Sequence, residues 1–227
     1  MAGETRLIEG ERAHYLRSVL RLRAGARLIV FNGEGGEFDA EAIAVSRREV
    51  MVKVGSWCDR EAESPLNIAL GLGIAKGERM DWAVQKAVEL GVHSIHPLET
   101  RYSNVRLKGD KRQLKHQHWV RIAVAACEQC GRNRIPRIFS PQPLSDWIPS
   151  QKGGVMLDPE GAPWSNLRHP QSELALLIGP EGGLSSEEIH LARDHGFVGS
   201  RLGPRILRVE TAVVAALSVA QSQWGDC

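Results

Sequence analysis

The chain of 227 residues has no apolar run approaching 18 residues, so nothing in it reads as a membrane-spanning helix. Its first twelve residues are charged and hold no apolar h-region, so no secretory signal is expected. Cysteine is scarce: Cys58, Cys127, Cys130 and Cys227 are the full set. With no export signal, that usage predicts free thiols in a reducing, cytoplasmic compartment. A G-x-x-x-x-G-K-[ST] phosphate loop occurs nowhere, which weighs against nucleoside triphosphate chemistry. Internal repeats and low-complexity tracts are missing too, which argues against a repeat array.

What is present is the balance of a globular protein able to bury a core: 42% hydrophobic and 25% charged residues. The length suits one large domain or two small ones. A net charge of +2 conceals a strong division. Residues 1–70 carry 10 basic and 11 acidic side chains, residues 71–140 carry 13 and 6, and residues 141–227 carry 6 and 10. Within 101–137 the count is 10 basic to 2 acidic. Such a localised positive field fits a polyanionic partner, and equally a solvated helix face.

No metal site is expected. Cys127-Glu128-Gln129-Cys130 is a C-x-x-C, but zinc needs four ligands and no second pair follows at finger spacing. The pair also falls late in a helical pattern, where the dipole gives no help to a redox thiol. His93/His96 and His116/His118 each lack a third ligand.

The hydrophobic rhythm divides the chain in two. Residues 11–22 place Tyr15, Leu16, Val19, Leu20 and Leu22 on a helical stripe, closed by Gly25. Strands are predicted at 27–31, 37–45 and 49–54, with Asn32-Gly33, Gly35-Gly36 and Ser46-Arg47-Arg48 as turns. The polar stretch Asp59-Arg60-Glu61-Ala62-Glu63-Ser64-Pro65 reads as a linker. Strands and helices then alternate. Strands are predicted at 66–74, 92–98, 154–157, 174–178 and 197–202, and helices at 78–90, 111–130, 185–195 and 209–223. Ser185-Ser186-Glu187-Glu188 is a capping box. This is the pattern of an α/β fold with a mainly parallel sheet covered on both faces. Ligands of such sheets bind outside the carboxyl ends of the strands.

Four segments could carry chemistry. Gly71-Leu72-Gly73-Ile74-Ala75-Lys76-Gly77 superficially resembles a dinucleotide loop, but its third glycine is one residue late and it opens inside a strand. Leu177-Ile178-Gly179-Pro180-Glu181-Gly182-Gly183 sits between an apolar strand and the capped helix. Its glycines let backbone approach a ligand, and Glu181 suits a ligand without phosphates, one carrying positive charge. An ordinary strand–helix turn is the competing reading. In Leu202-Gly203-Pro204-Arg205-Ile206-Leu207-Arg208-Val209-Glu210-Thr211-Ala212 a Gly-Pro break leads an apolar-basic segment into the last helix. Glu128-Gln129-Cys130-Gly131-Arg132-Asn133-Arg134 delivers two guanidinium groups, suited to phosphate and base edges, from a helix end into a loop.

The second and third segments, in that order near the C-terminus, resemble the SPOUT superfamily of S-adenosylmethionine-dependent RNA methyltransferases. Adding Gly73-Ile74-Ala75-Lys76-Gly77-Glu78-Arg79-Met80, Gln85-Lys86-Ala87-Val88-Glu89-Leu90-Gly91-Val92 and Glu128-Gln129-x-x-Arg132, the chain is similar to the RsmE family over nearly its whole length. That family methylates N3 of one uridine in bacterial small-subunit (16S) ribosomal RNA. The resemblance implies a PUA-like RNA-binding β-barrel over 1–64 and a SPOUT methyltransferase domain over 65–227, its C-terminal part threaded into a trefoil knot. The strand that opens the family's barrel, before Gly10-Glu11-Arg12-Ala13-His14-Tyr15-Leu16, is expected to be missing or much shortened here.

The resemblance also implies a homodimer joined through the catalytic domain, and a cofactor pocket. The pocket would use Leu98, Glu99 and Thr100, then Ile178, Gly179, Pro180, Glu181, Gly182 and Gly183, then Leu202, Gly203, Ile206, Leu207 and Thr211. Uracil N3 must lose its proton before it attacks a methyl group, and a guanidinium can stabilise the resulting anion. Arg132 is the first candidate and Arg208 the second. Glu128, Glu210 or solvent could take the proton. RNA, free or within the small ribosomal subunit, would contact Arg17, Arg21, Arg23, Lys76, Arg79, Arg101, Arg106, Lys108, Lys111, Arg112 and Arg134. Three alternatives stay open: a methyltransferase acting on another RNA or base, a non-catalytic RNA-binding module, and a nucleotide-dependent oxidoreductase using the Gly71 region with Cys127 and Cys130.

Overall fold

Backbone contacts divide the chain, of which the computed structural model describes residues 3–170 and 172–227, into two units. The first contains the residues up to Ala62 together with Gly131–Ile135, and the second contains Glu63–Cys130 and Pro136–Cys227.

In the first unit β1 (Thr5–Glu9), β2 (Arg27–Val30), β3 (Glu37–Val45) and β4 (Glu49–Cys58) form an antiparallel sheet in the order β1-β4-β3-β2. The two-residue period of β4 decides its facing: Val50, Val52 and Val54 are buried while Met51 and Lys53 face outward. With Ala13, Ala40 and Ala42, Val50 and Val52 make the core. Ser46 closes the β3–β4 hairpin, its hydroxyl accepting from the amides of Arg48 at 3.2 Å and Glu49 at 3.1 Å. The opening strand, expected to be missing or much shortened, is present as the five residues of β1, with Leu7 opposite Met51 in antiparallel register. It leaves little trace in the sequence because only Ile8 packs on the core, so no apolar alternation can develop.

The first helix, α1 (Gly10–Ser18), stops four residues earlier than its apolar stripe predicts. Arg21 turns the chain at φ 53°, the one non-glycine residue in the left-handed region among those described, and Val19 and Leu20 are left exposed. Leu22 still reaches the core, its amide donating to the Leu16 carbonyl at 2.9 Å.

The second unit is a parallel sheet. Its strands are β5 (Asn67–Gly73), β6 (Ser94–Glu99), β7 (Arg137–Ile138), β8 (Gln142–Pro143), β9 (Gly154–Pro163), β10 (Glu173–Ile178) and β11 (Phe197–Arg201). They lie in the order β11-β9-β10-β5-β6-β7, with β8 also on β6. Burial is unbroken from Leu70 through Ala75, as a central strand covered on both faces requires. The two short strands β7 and β8 escape periodicity, and so does α4 (Leu144–Trp147), because each spans too few residues for its period to recur. β9 runs to Pro163, well past its predicted end at 157, where a register shift lets β11 pair with it a second time.

Along α2 (Glu78–Glu89), Met80, Ala83, Val84, Ala87 and Val88 form the buried stripe, spaced as an amphipathic helix demands. This helix packs against α3 (Asp110–Cys130) and against α6 (Val209–Trp224). Asp81 ties α2 to α3 by accepting from the Trp119 indole at 3.1 Å and bonding His118 at 2.8 Å. Buried Gln221 of α6 donates to the Leu90 carbonyl at 2.9 Å, and its amide oxygen accepts from the Ser64 hydroxyl at 2.7 Å. The chain therefore leaves the outermost strand, β11, and returns to settle on the helix that follows β5.

A second core joins Leu98, Leu144, Trp147, Ile148, Met156, Leu177 and Phe197 with Ala192 of α5 (Ser186–Asp194). Trp147 is its centre, and Gly71 makes room for it: a Cβ at Gly71 would lie 2.5 Å from the Trp147 ring. The first glycine of the apparent dinucleotide loop is thus a packing residue inside a strand. Cys127 is buried, Cys130 is half-buried and neither is in a disulfide. Among the described residues no group of three metal-binding side chains occurs, and no helix is long and apolar enough to cross a membrane.

Candidate functional site

Because β11, β9, β10, β5 and β6 are parallel neighbours, their carboxyl ends share one edge of the sheet. The loops after β5, β6, β10 and β11 all emerge there, the edge where ligands of parallel sheets bind. The three predicted cofactor segments are three of these loops.

The loop after β10 is folded tightly on itself. The Gly183 amide donates to the Pro180 carbonyl at 2.8 Å, and Gly183 sits at φ 72°. Gly73, at the end of β5, lies directly against it. A Cβ there would stand 2.5 Å from the backbone nitrogen of Pro180 and 2.9 Å from the carbonyl carbon of Gly179. The second glycine of the 71–77 segment therefore serves the 179–183 loop and forms no dinucleotide cradle. Glu181 crosses to the loop after β5: its Oε1 accepts from the Lys76 amide and from the Arg79 guanidinium, both at 3.2 Å. Arg79, assigned to RNA from sequence, is thereby paired with a residue assigned to the cofactor. The other oxygen, Glu181 Oε2, is buried without a hydrogen-bond partner.

Buried Leu98 accepts from the Ile74 amide at 2.9 Å, joining β6 to the end of β5. Glu99 pairs with Arg112 at 2.7 Å, and Arg112 also donates to the Pro141 carbonyl at 3.2 Å. The Thr100 hydroxyl meets the Ser103 hydroxyl at 2.9 Å. The capping box at Ser185 has a second duty: Glu188 Oε2 accepts from the Ser185 amide at 2.8 Å while its Oε1 accepts from the Arg101 amide, also at 2.8 Å. The box was legible in the sequence; its hold on the loop after β6 was not.

After β11, Gly203 turns at φ 113° and Ile206 stands 88% exposed, an unusual position for a large apolar side chain. Ile178 is buried, Leu202 and Leu207 are half-buried, and Thr211 is exposed in the first turn of α6. Arg208 is the exposed N-cap of that helix. Glu210, two residues on, has its Oε2 buried without a hydrogen-bond partner.

The other catalytic candidates are placed differently. Glu128 is exposed on α3. Arg132 is 4% exposed and belongs to the 131–135 segment of the first unit. That segment is anchored: Arg60 donates to the Gly131 carbonyl at 2.7 Å, Asn133 donates to the Arg60 carbonyl at 2.6 Å, and Arg134 pairs with Glu61 at 2.7 Å. Of the RNA candidates, Arg21, Arg23, Lys76, Arg79, Arg101, Arg106, Lys108, Lys111 and Arg134 are exposed; Arg17 and Arg112 are half-buried. Tyr102, Ser103 and Asn104 were not singled out from the sequence. With Arg101 and Gly182 they line a hollow of about 440 Å³. Their one signal was an aromatic followed by two short polar residues inside the basic stretch.

The chain matches the RNA methyltransferase domain family over residues 62–221 and the RNA methyltransferase PUA domain family over residues 8–55. It is 37% identical to the ribosomal RNA small subunit methyltransferase E of Buchnera aphidicola subsp. Schizaphis graminum, with 94% of this chain and 88% of that protein covered. Its identity to the protein of the same name from Bacillus subtilis is 32%, covering 95% of this chain and 89% of the relative. Among solved structures it is similar to a putative methyltransferase from Legionella pneumophila in complex with SAM, at TM-score 0.94 and 39% identity, covering 100% of this chain and 95% of that one. The ribosomal RNA small subunit methyltransferase E of Neisseria gonorrhoeae bound to S-adenosyl methionine gives the same TM-score and coverage at 32% identity.

Proposed function

The chain belongs to the ribosomal RNA small subunit methyltransferase E family, and from that premise we propose that it methylates N3 of one uridine in small-subunit ribosomal RNA. It is an S-adenosylmethionine-dependent methyltransferase of that RNA. The observation that carries the reading is the loop set at the carboxyl edge: a glycine loop apposed to β5 through Gly73, with an acidic side chain where a phosphate cradle would need cations. A buried carboxylate oxygen without a hydrogen-bond partner, Glu181 Oε2, fits a cationic cofactor without phosphates. Leu98 to Thr100, Ile178 to Gly183, Leu202 to Leu207 and Thr211 would hold it, and when bound it supplies an electrophilic methyl group.

The chain's own residues then have three tasks. The target base must leave its pairing partner, because N3 lies on the pairing edge. Its imide proton must be removed, and Glu210 is the proposed acceptor because it carries an unengaged oxygen in the first turn of α6. The anion must be stabilised, and Arg208 takes first place for this, since it is exposed at the head of that same helix. Arg132, buried within the anchored 131–135 segment, is proposed to order that segment.

The return of the chain from β11 to pack α6 on α2 supports the trefoil knot of the SPOUT fold. The four-stranded sheet and the match over 8–55 support a PUA-like RNA-binding domain over 1–64, with 65–227 as the catalytic domain. A homodimer through the catalytic domain and a cytoplasmic location complete the proposal.

The test is mass spectrometry of small-subunit ribosomal RNA from a strain lacking the gene, which should lose one methyluridine. Loss at another base would replace the N3 assignment, and no loss would refute it. Arg208→Ala should lower methyl transfer about 100-fold or more while cofactor affinity holds. Wild-type turnover by that variant would remove Arg208 from the mechanism. RNA affinity should fall steeply with salt.

A further inference from the structure

We propose that the hollow formed by Arg101, Tyr102, Ser103, Asn104 and Gly182 is the subsite for the extruded target pyrimidine, with Tyr102 as its stacking face. It deepens the methyltransferase reading and rests on it.

The hollow lies at the carboxyl edge of the sheet, where the loop after β6 meets the glycine loop after β10. At about 440 Å³ it is large enough for a nucleobase, and it opens to solvent, as a site for a base on a polymer must. Tyr102 is 50% exposed although the turn that carries it is firmly held. The Arg101 amide is engaged by Glu188, and Ser103 is engaged by the Thr100 hydroxyl and, at 3.3 Å, the Thr100 amide. A rigid turn presenting a half-bare aromatic ring is the arrangement on which unpaired bases stack.

Gly182 completes the face. A Cβ there would fall 2.8 Å from Tyr102 Cβ, so only glycine lets the tyrosine lie against the loop. The same contact sets the hollow beside the cofactor loop. Asn104 is exposed, and its amide NH2 can donate to a carbonyl oxygen of a uracil while leaving N3 open to react. Arg101 is exposed as well, and its charge faces a partner whose backbone is anionic. Ser103, with its hydroxyl committed to Thr100, is a positioning residue.

The experiment compares Tyr102→Ala, Tyr102→Phe and Asn104→Ala with the wild-type chain. Two readouts are taken: methyl transfer to small ribosomal subunits from a strain lacking the gene, and calorimetric affinity for S-adenosylmethionine. Tyr102→Ala should lose about tenfold or more in kcat/KM for the subunit, the cost expected of one stacked base. Tyr102→Phe, which keeps the ring, should stay within about threefold, and Asn104→Ala should fall between them. Cofactor affinity should hold in all three. Undiminished transfer by Tyr102→Ala overturns the proposal, as does a Tyr102→Phe as damaged as Tyr102→Ala. A parallel loss of cofactor affinity also overturns it, by assigning the hollow to the cofactor pocket. A wild-type protein that transfers no methyl group to such subunits refutes the methyltransferase reading itself, which is a separate outcome.

Discussion

Gly71 and Gly73 on one side, and Gly179, Gly182 and Gly183 on the other, are two glycine clusters that look alike in the sequence and serve opposite ends. The first pair lies inside a buried strand, where each missing side chain is filled by a neighbour: Trp147 at Gly71, and the Gly179–Pro180 backbone at Gly73. The second group lies in a loop that must fold back on itself and keep a face open. A glycine pattern therefore marks close approach, and only the fold says whether a side chain, a backbone or a ligand approaches. The two clusters meet at one point, Gly73 against Pro180, which is where the core supports the loop.

Substitutions at that contact separate the two clusters. Gly73→Ala puts a methyl group 2.5 Å from backbone that cannot move aside without reshaping the 179–183 loop. Cofactor affinity by calorimetry should fall at least tenfold, with about 2–3 kcal/mol of stability lost as well. An unchanged affinity would show that the loop does not depend on β5. Gly71→Ala should behave otherwise. Its methyl group meets the Trp147 ring, so the cost should be about 1–3 kcal/mol, or several degrees in Tm, with cofactor affinity kept in the folded protein. A selective loss of affinity here would return Gly71 to the ligand site.

The smallest expected effect is a pH dependence confined to the same core. His96 is buried, stacks on Phe139 at 4.0 Å and lies 5.7 Å from Trp147. Burial, with Arg137 nearby, lowers its pKa to about 4. The folded state thus resists a proton that the unfolded chain accepts near pH 6.5. Its stabilising contribution is complete above that pH and is lost as pH falls from about 6.5 to about 4. Discounted for partial solvent screening, the loss is on the order of 1–2 kcal/mol. Urea melts of wild type and His96→Phe across that range should converge or cross, and parallel pH profiles would exclude His96 as the source.

The larger elements were legible because their periods are long enough to count. The stripe of α2, the capping box of α5 and the continuous apolar strands β5 and β10 all came from local patterns. The elements that escaped are those whose burial comes from a distant partner. β1 has one core-facing side chain, β7 and β8 have two residues each, and α1 was cut short by a left-handed Arg21 that no apolar stripe encodes. For the site, Glu181 was legible as a charge in a glycine loop, whereas its pairing with Arg79 was not, since the two are 102 positions apart. Arg132 looked as available as Arg208, and burial separates them.

By itself the sequence determined the alternation of strand and helix, the loops that end at the ligand edge, the family and the chemistry it implies. These rest on local spacing and on ordered motifs, which a linear chain carries in full. Tertiary structure alone decided which glycines serve packing, which charges neutralise one another, and that Tyr102 faces an open hollow beside Gly182. Each of those depends on the distance between residues far apart in the chain, and such a distance exists only once the chain has folded.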